Sequence, residues 1–449
     1  MLENESLKRD STLLFVTPSA YPLGGVSVWL QYIVDGLSKQ GWQCWVGLVE
    51  GAFHNTNRYL SEYKFQNIIL ISNKTNTRYG RVKAIEKAIE KVSADIVVSV
   101  NIPDVFEAVT QLKNHGRQTK AVMTLHGLEL DYFKDISLFK EQIDAVIVTN
   151  KLTESMVHQY SGFEQQRVIY SPYGVKMPSI HNNKKRGSPV VLAYVGRITT
   201  NQKRCRDLIE LVHQLEEKKI NYQLKLIGDG DERENLLQEL NRETKLGEVV
   251  FEGIVTNEKL TKQLFPTVDL LILTSDWETG PIVIWEAMAS GVVVVSSNYI
   301  GSGIENSLLK GENCYMFDIG DMKSAAHCID DFINSDNGLK YQNAGYKLVE
   351  KKYSRQISIL KWNNALELIV QKISIKRSPS KIKHWPRRSA IEKWFTPKID
   401  FLFRKRTGRQ AYAASPGDEW PHSSSLITKN ETETFQKLMI SLDDSKSHL

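Results

Sequence analysis

Residues Leu270–Ser297 read LLILTSDWETGPIVIWEAMASGVVVVSS. Four apolar residues come first, then a loop carrying Asp276, Trp277 and Glu278, then a helical run and a run of valines. A strand without apolar/polar alternation is buried on both faces, as in parallel sheets covered by helices. Pro281 suits the first position of a helix, where its missing N–H would have been unpaired anyway. Pro281–Ala289 is therefore predicted as a helix, and Asp269–Leu273 and Val292–Ser296 as the parallel strands on either side of it.

The same alternation runs outward in both directions. Toward the N-terminus, strands are predicted at Thr12–Thr17, Cys44–Val49, Asn67–Ile71, Asp95–Val100, Ala121–Leu125 and Ala145–Thr149. Helices are predicted between them at Val26–Lys39, Arg81–Val92 and Val105–Asn114. Ser171–Gly187, SPYGVKMPSIHNNKKRG, interrupts the pattern with prolines, glycines and polar residues and reads as a linker. A second series follows, with strands Val190–Val195, Gln223–Ile227 and Val249–Phe251 and helices Cys205–Glu217, Glu232–Leu240 and Met322–Ile333. Helical patterns return at Gly338–Lys352 and Ser354–Lys372. The expected class is α/β, with two doubly wound Rossmann-like domains facing a cleft, ligands lying beyond the carboxyl ends of the strands. The expected boundaries are 1–172, a linker at 173–188, a second domain at 189–352, a helix at 353–373 and a basic, weakly ordered tail at 374–449. The helix at 353–373 is expected to pack back toward the first domain.

Composition fits such a protein. The chain has 449 residues, 41% hydrophobic and 24% charged, which excludes collagen-like, disulfide-scaffold and wholly disordered classes. Its four cysteines, Cys44, Cys205, Cys314 and Cys328, are far apart with no histidine at ligand spacing, which argues against a zinc module and for a reducing compartment. No apolar run approaches the ~20 residues of a spanning helix, and the polar N-terminus MLENESLKRDST is not a secretory signal. A cytoplasmic protein is expected. The net charge of +6 is unevenly spread: Lys372–Arg409 carries +11, and residues 410–449 carry −3.

Several residues carry chemistry. Glu278 precedes a helix start and Glu286 lies inside the helix among Ile282, Val283, Ile284, Trp285, Ala287, Met288 and Ala289. A carboxylate buried there needs hydrogen-bond donors, and a ribose diol would supply two. A solvated face for Glu286 and a capping role for Glu278 are the plainer readings. The helix start at Thr279, Gly280, Pro281 and Ile282 suits a phosphate or sugar hydroxyl. VGRITTNQK, Val195–Lys203, ends a strand with Gly196, Arg197 and Lys203, and Arg204 follows. Cations at that edge can hold a diphosphate, or can simply cap a helix. Gly24 and Gly25 follow the first strand, where glycine lets backbone N–H groups approach a phosphate or makes an ordinary turn. His126 ends strand Ala121–Leu125 at the carboxyl edge of the sheet, where a lone histidine reads as structural. Glu129 and Asp131 lie nearby in sequence. Gly228-Asp-Gly230 lacks the third glycine of a dinucleotide fingerprint, with Arg233 in its place, so NAD binding is rejected.

The pair Glu278 and Glu286, continued through EAMASG, SNYIGSGIE and KGENCYMF, resembles the E-x7-E signature of the retaining glycosyltransferases of family 4, which have the GT-B fold. The resemblance covers about residues 12–372, most specifically 195–317. It implies a hexosyltransferase that moves a sugar from a nucleoside-diphosphate sugar to a saccharide or glycolipid acceptor, with retention and without a metal or other cofactor. By the same resemblance Glu286 binds the donor ribose, Glu278 the donor sugar, and Arg197 and Lys203 the departing diphosphate, with Arg204 beside them. The Arg-to-Lys spacing here is one residue longer than the family's usual pattern. The resemblance further implies that Gly24, Gly25 and Gly196 face the donor, that His126 lies near the transferred sugar, and that Gly253 and Ile254 form the edge that meets the nucleobase. Pro172-Tyr173-Gly174-Val175 resembles the family's linker start with Tyr173 in place of Asn. A non-catalytic nucleotide-sugar binder and a membrane-surface scaffold with the same core are the other readings.

Residues 381–409 interleave cations with Trp385, Trp394, Phe395, Phe401 and Phe403. Such a segment suits an anionic membrane surface at the inner face of the membrane, or a solvated linker; no nucleic acid partner is expected.

Overall fold

A computed structural model describes residues 11–19, 25–50, 55–178, 187–372, 396–410 and 427–444. The chain divides into two compact units, Met1–Ser171 with Ile359–Leu438, and Pro172–Ser358 with Met439–Leu449.

The first unit is built on a seven-stranded parallel sheet. Its strands are β1 (Thr12–Pro18), β2 (Gln43–Val49), β3 (Ile68–Ile71), β4 (Ile96–Val100), β5 (Lys120–Leu125), β6 (Ala145–Val148) and β7 (Val168–Tyr170). They lie in the order β3-β2-β1-β4-β5-β6-β7. Every residue of β1 and β4 is buried, as expected of strands covered on both faces. The helix Gly25–Lys39 covers one face with Trp29, Leu30, Ile33 and Leu37. Trp362 packs against Trp29 with ring centroids 5.3 Å apart, and the Trp42 indole N–H donates to Asn363 at 3.0 Å. These contacts seat residues from Ile359 to Lys372 in this unit.

The second unit has a six-stranded parallel sheet of β8 (Val190–Val195), β9 (Tyr222–Ile227), β10 (Val249–Gly253), β11 (Leu270–Leu273), β12 (Val293–Ser297) and β13 (Cys314–Phe317). The order is β10-β9-β8-β11-β12-β13. Strand β8 pairs with β9 on one side and β11 on the other, so the winding reverses between β8 and β11. In the first unit it reverses between β1 and β4. Both halves are doubly wound α/β sheets, as the sequence predicts.

Differences are local. Pro281 is the residue before the helix, which runs Ile282–Ala289, because its ψ of 97° is extended. Strand β7 was not predicted, since three residues give no periodicity to read. Strand β13, CYMF, was not predicted either. Helices Thr56–Glu62, Leu130–Phe139 and Lys151–Gln159 were also not predicted. Within residues 374–449, expected to be weakly ordered, helices are described at Pro397–Thr407 and Lys429–Asp444.

Gly228 and Gly230, rejected above as a dinucleotide fingerprint, have a packing role. A Cβ on Gly228 would fall on the carbonyl oxygen of Gly196, and one on Gly230 on that of Ile198. The loop after β9 thereby supports the loop after β8, with Ile198 N–H donating to Asp229 O at 2.9 Å. Gly228 also has φ +141°. Gly228→Ala is expected to lower stability by about 2 kcal/mol or more. Gly247→Ala, at φ +76° with open space around it, should cost only about 1 kcal/mol. Thermal and urea unfolding of the two variants checks the difference.

Candidate functional site

The loops after β8 and β11 leave neighbouring strands at the point where the second sheet reverses, which is where open α/β sheets bind ligands. Each loop holds the other. Thr274 Oγ1 donates to Lys203 O at 2.7 Å, Asp276 N–H to Gln202 O at 2.7 Å, and Gln202 Nε2 to Trp277 O at 3.0 Å.

Within this frame Lys203 Nζ donates to Glu278 Oε1 at 2.5 Å. Ser275 Oγ donates to the same oxygen at 2.6 Å, and Ser297 Oγ holds Ser275 O at 2.7 Å. Glu278 is only 6% exposed. Two donors on one carboxylate oxygen offset the desolvation that burial imposes. Lys203 has three N–H donors, so the pair leaves donors available to a further anion. Arg197 is exposed, and its Nη2 donates to Gln202 Oε1 at 2.9 Å. Arg204 donates to Asp207 Oδ2 at 2.8 Å and lies 3.5 Å from Asp276 Oδ1. The two adjacent cations thus have different partners. Lys203 faces Glu278, and Arg204 is held by Asp207 and Asp276.

The β11 loop ends at Gly280, whose φ of +90° turns the chain into the helix Ile282–Ala289. No side chain caps that helix. Glu286 is its fifth residue, and Glu286 Oε1 accepts from Asn257 Nδ2. Burial raises the Glu286 carboxyl to about 7, opposed by the Asn257 hydrogen bond and the charge of Arg355. The Trp285 ring stacks on Tyr353 at 4.0 Å and fixes the helix from its buried side. Gly253 ends β10 at φ +68°, and Ile254 after it is exposed.

In the first unit, Gly25 is the first residue of its helix, and Gly24 lies outside the described residues. His126 is buried; Nε2 lies 3.0 Å from Thr124 Oγ1, and its ring centroid is 4.4 Å from that of Trp29. Burial lowers its pKa to about 3, so the ring is neutral at ordinary pH. Asp131 falls in the first turn of the helix Leu130–Phe139, and Glu129 precedes it.

The sequence gives no signal for three further residues. Asn257 and Ser275 are partners only through the fold. Asn101 follows β4 at the first sheet's reversal point, with φ +58° and a buried side-chain oxygen that has no hydrogen-bond partner. Among the described residues, no group of three or more His, Cys, Asp or Glu side chains could hold a metal ion.

Residues 189–335 match the family model described as "Glycosyl transferases group 1". The chain is 25% identical over 292 residues to a lipopolysaccharide 1,6-galactosyltransferase of Salmonella typhimurium, covering 63% of this chain and 77% of that protein. Among solved structures it resembles the lipopolysaccharide outer core galactosyltransferase WaaB in its apo form, with TM-score 0.63 and 19% identity over 79% of this chain and 99% of that one. It also resembles Anabaena Alr3699/HepE in complex with UDP and glucose, with TM-score 0.63, 18% identity and the same coverage. At these identities the structures show the fold, two Rossmann-like units of GT-B type. The family match and the Salmonella relative support a glycosyltransferase.

The raised Glu286 pKa makes a signed prediction. The folded chain holds this proton more tightly than the unfolded chain, so the stabilisation is full below the ordinary value of 4.5 and is lost as pH rises through about 7. Glu286→Gln keeps an acceptor for Asn257 and removes the titration. The variant should gain stability relative to wild type between pH 5 and pH 8, by about 2–3 kcal/mol. Melting temperatures of the pair across that range test the sign.

Proposed function

We propose that this chain is a retaining glycosyltransferase of family 4 that moves a hexosyl group from a nucleoside-diphosphate sugar to a saccharide or glycolipid acceptor in cell-envelope glycan synthesis, without a metal. The observation that carries this reading is the Lys203–Glu278–Ser275 cluster at the β8/β11 reversal, with Glu286 eight residues further along in the following helix. The Salmonella relative's named activity and the UDP and glucose in the Anabaena structure support the same donor class.

The residues divide the work. Arg197 and the free donors of Lys203 bind the diphosphate, and Arg204 keeps the loop in place through Asp207. Gly25 and Gly196 bring backbone close to the donor. Thr279, Gly280, Pro281 and Ile282 present the helix start to it. Glu286 accepts the ribose hydroxyls, and Gly253 and Ile254 meet the base. Glu278 binds hydroxyls of the donor sugar, and neutral His126 donates or accepts one hydrogen bond to the sugar without acting as an acid.

Reaction breaks the bond between the anomeric carbon and the diphosphate oxygen. Negative charge grows on that oxygen, and cations already in place stabilise it without reorganising. The acceptor hydroxyl attacks from the same face, its proton passes to the departing diphosphate, and the products are a nucleoside diphosphate and a glycoside of unchanged anomeric configuration. A double displacement through Glu278 and Glu286 is disfavoured, because Glu286 is within a helix and engaged by Asn257.

A panel of nucleotide sugars screened by thermal shift finds the donor, and NMR of the product reads the anomer. Glu278→Ala is expected to lower transfer about 100-fold or more while the donor still stabilises the chain. Glu286→Ala should lose the donor-induced shift. Donor binding by wild type with neither transfer nor hydrolysis would establish the non-catalytic binder instead.

A further inference from the structure

The basic segment contains a helix with two unlike faces. Pro397–Thr407 begins at a proline, for which Thr396 is the cap, and ends at Gly408 with φ +70°. Asp400, Phe401 and Arg404 form one stripe. Asp400 is buried and accepts from Arg404 Nε at 2.9 Å, and Phe401 packs against Tyr79 of the helix Arg78–Val92 with centroids 5.6 Å apart. That stripe fixes the helix to the first unit.

The opposite stripe follows the i, i+3, i+4, i+7 spacing of one helical face. It consists of Ile399, Leu402 and Phe403, which are 49%, 52% and 50% exposed, and Arg406. Lys398, Lys405 and Arg409 flank it. Among the described residues, no carboxylate pairs with Lys398, Lys405, Arg406 or Arg409. The one acid of the helix, Asp400, is turned inward and already paired. The sequence immediately before, residues 372–395, adds eight basic residues against one acidic.

We propose that this face docks the chain on an anionic lipid bilayer, with Ile399, Leu402 and Phe403 at the level of the headgroups and Lys398, Lys405, Arg406 and Arg409 against lipid phosphates. Apolar side chains beside cations that no carboxylate among the described residues neutralises, on a short helix fixed to the first unit, match the amphipathic elements that lie in a bilayer interface. A nucleic acid would engage the cations and leave the three apolar side chains in water, so the apolar stripe favours lipid. Among the described residues no helix is long and apolar enough to cross a membrane, and this contact would be peripheral. The inference is independent of the catalytic reading and tested without any sugar.

The full chain is mixed with vesicles of phosphatidylcholine, with or without phosphatidylglycerol, and sedimented. Binding is expected only to the vesicles containing phosphatidylglycerol, and should weaken with added salt. Ile399→Ser/Leu402→Ser/Phe403→Ser and Lys405→Glu/Arg406→Glu should each lower the partition coefficient about tenfold while the melting temperature stays that of wild type. A nitroxide placed through Phe403→Cys gives a readout in an otherwise intact protein and should report depth at the headgroups. Equal binding to neutral vesicles, unchanged binding by the serine variant, a nitroxide that stays in water, or preference for an oligonucleotide over vesicles would each overturn the proposal.

Discussion

Strand β8 lies beside β11 in parallel, and the meeting of Lys203 with Glu278 depends on that one pairing. Parallel neighbours release their following loops at the same end of a sheet, and reversal of the winding at this point sends the chain away on opposite sides. A lysine near residue 203 and a glutamate near residue 278 can then meet without any residue between them having to be placed accurately. The meeting still has to overcome desolvation. A charge left alone in such a place after its partner is removed costs about 3–5 kcal/mol. Lys203 and Glu278 are each the condition for burying the other, and Ser275 supplies the second hydrogen bond that a carboxylate there requires.

Burial is used differently at two other positions. His126 has its pKa lowered and Glu286 has its pKa raised, so each is pushed toward its neutral form. For His126 neutrality is complete at any ordinary pH, and the ring can offer hydrogen bonds but no charge. Glu286 sits near the middle of its titration at neutral pH, because Asn257 and Arg355 partly return what burial removes. A group poised in this way gains most from ligands bearing hydroxyl donors, since each donor favours the charged form.

The two sheets were legible because most of their strands are short, predominantly apolar runs separated by helical patterns, and that signal survives without tertiary context. Strand β7, at three residues, falls below it. CYMF is hidden by the turn residues before it. The acids and cations of the site were legible as residue types at strand ends. Their pairing was not, since Lys203 and Glu278 are 75 positions apart and nothing local links them. Asn257 is 29 residues from Glu286 and equally silent. Gly228 and Gly230 show the converse case: a spacing that superficially suggests one function is explained by backbone packing against Gly196 and Ile198. In the basic segment the charge could be counted from sequence. The inward turn of Asp400, which leaves the apolar stripe outside, required the fold.

The backbone of the β8 loop adds a last constraint. Gln202 and Arg204 both adopt positive φ, 61° and 46°, conformations that cost a side-chain-bearing residue about 1–2 kcal/mol each. Lys203 stands between them. The loop is kept in this shape by Arg204 N–H to Thr200 O at 3.2 Å, Cys205 N–H to Thr199 O at 3.2 Å and the ties from Thr274 and Asp276. The direction of the Lys203 side chain is therefore set by the backbone before any partner is considered. A lysine on a relaxed loop would have to give up rotamer freedom each time it met an anion. Here that ordering is completed by folding, and the surrounding hydrogen bonds sustain the strain, so an anion reaching this loop would find a cation already in position.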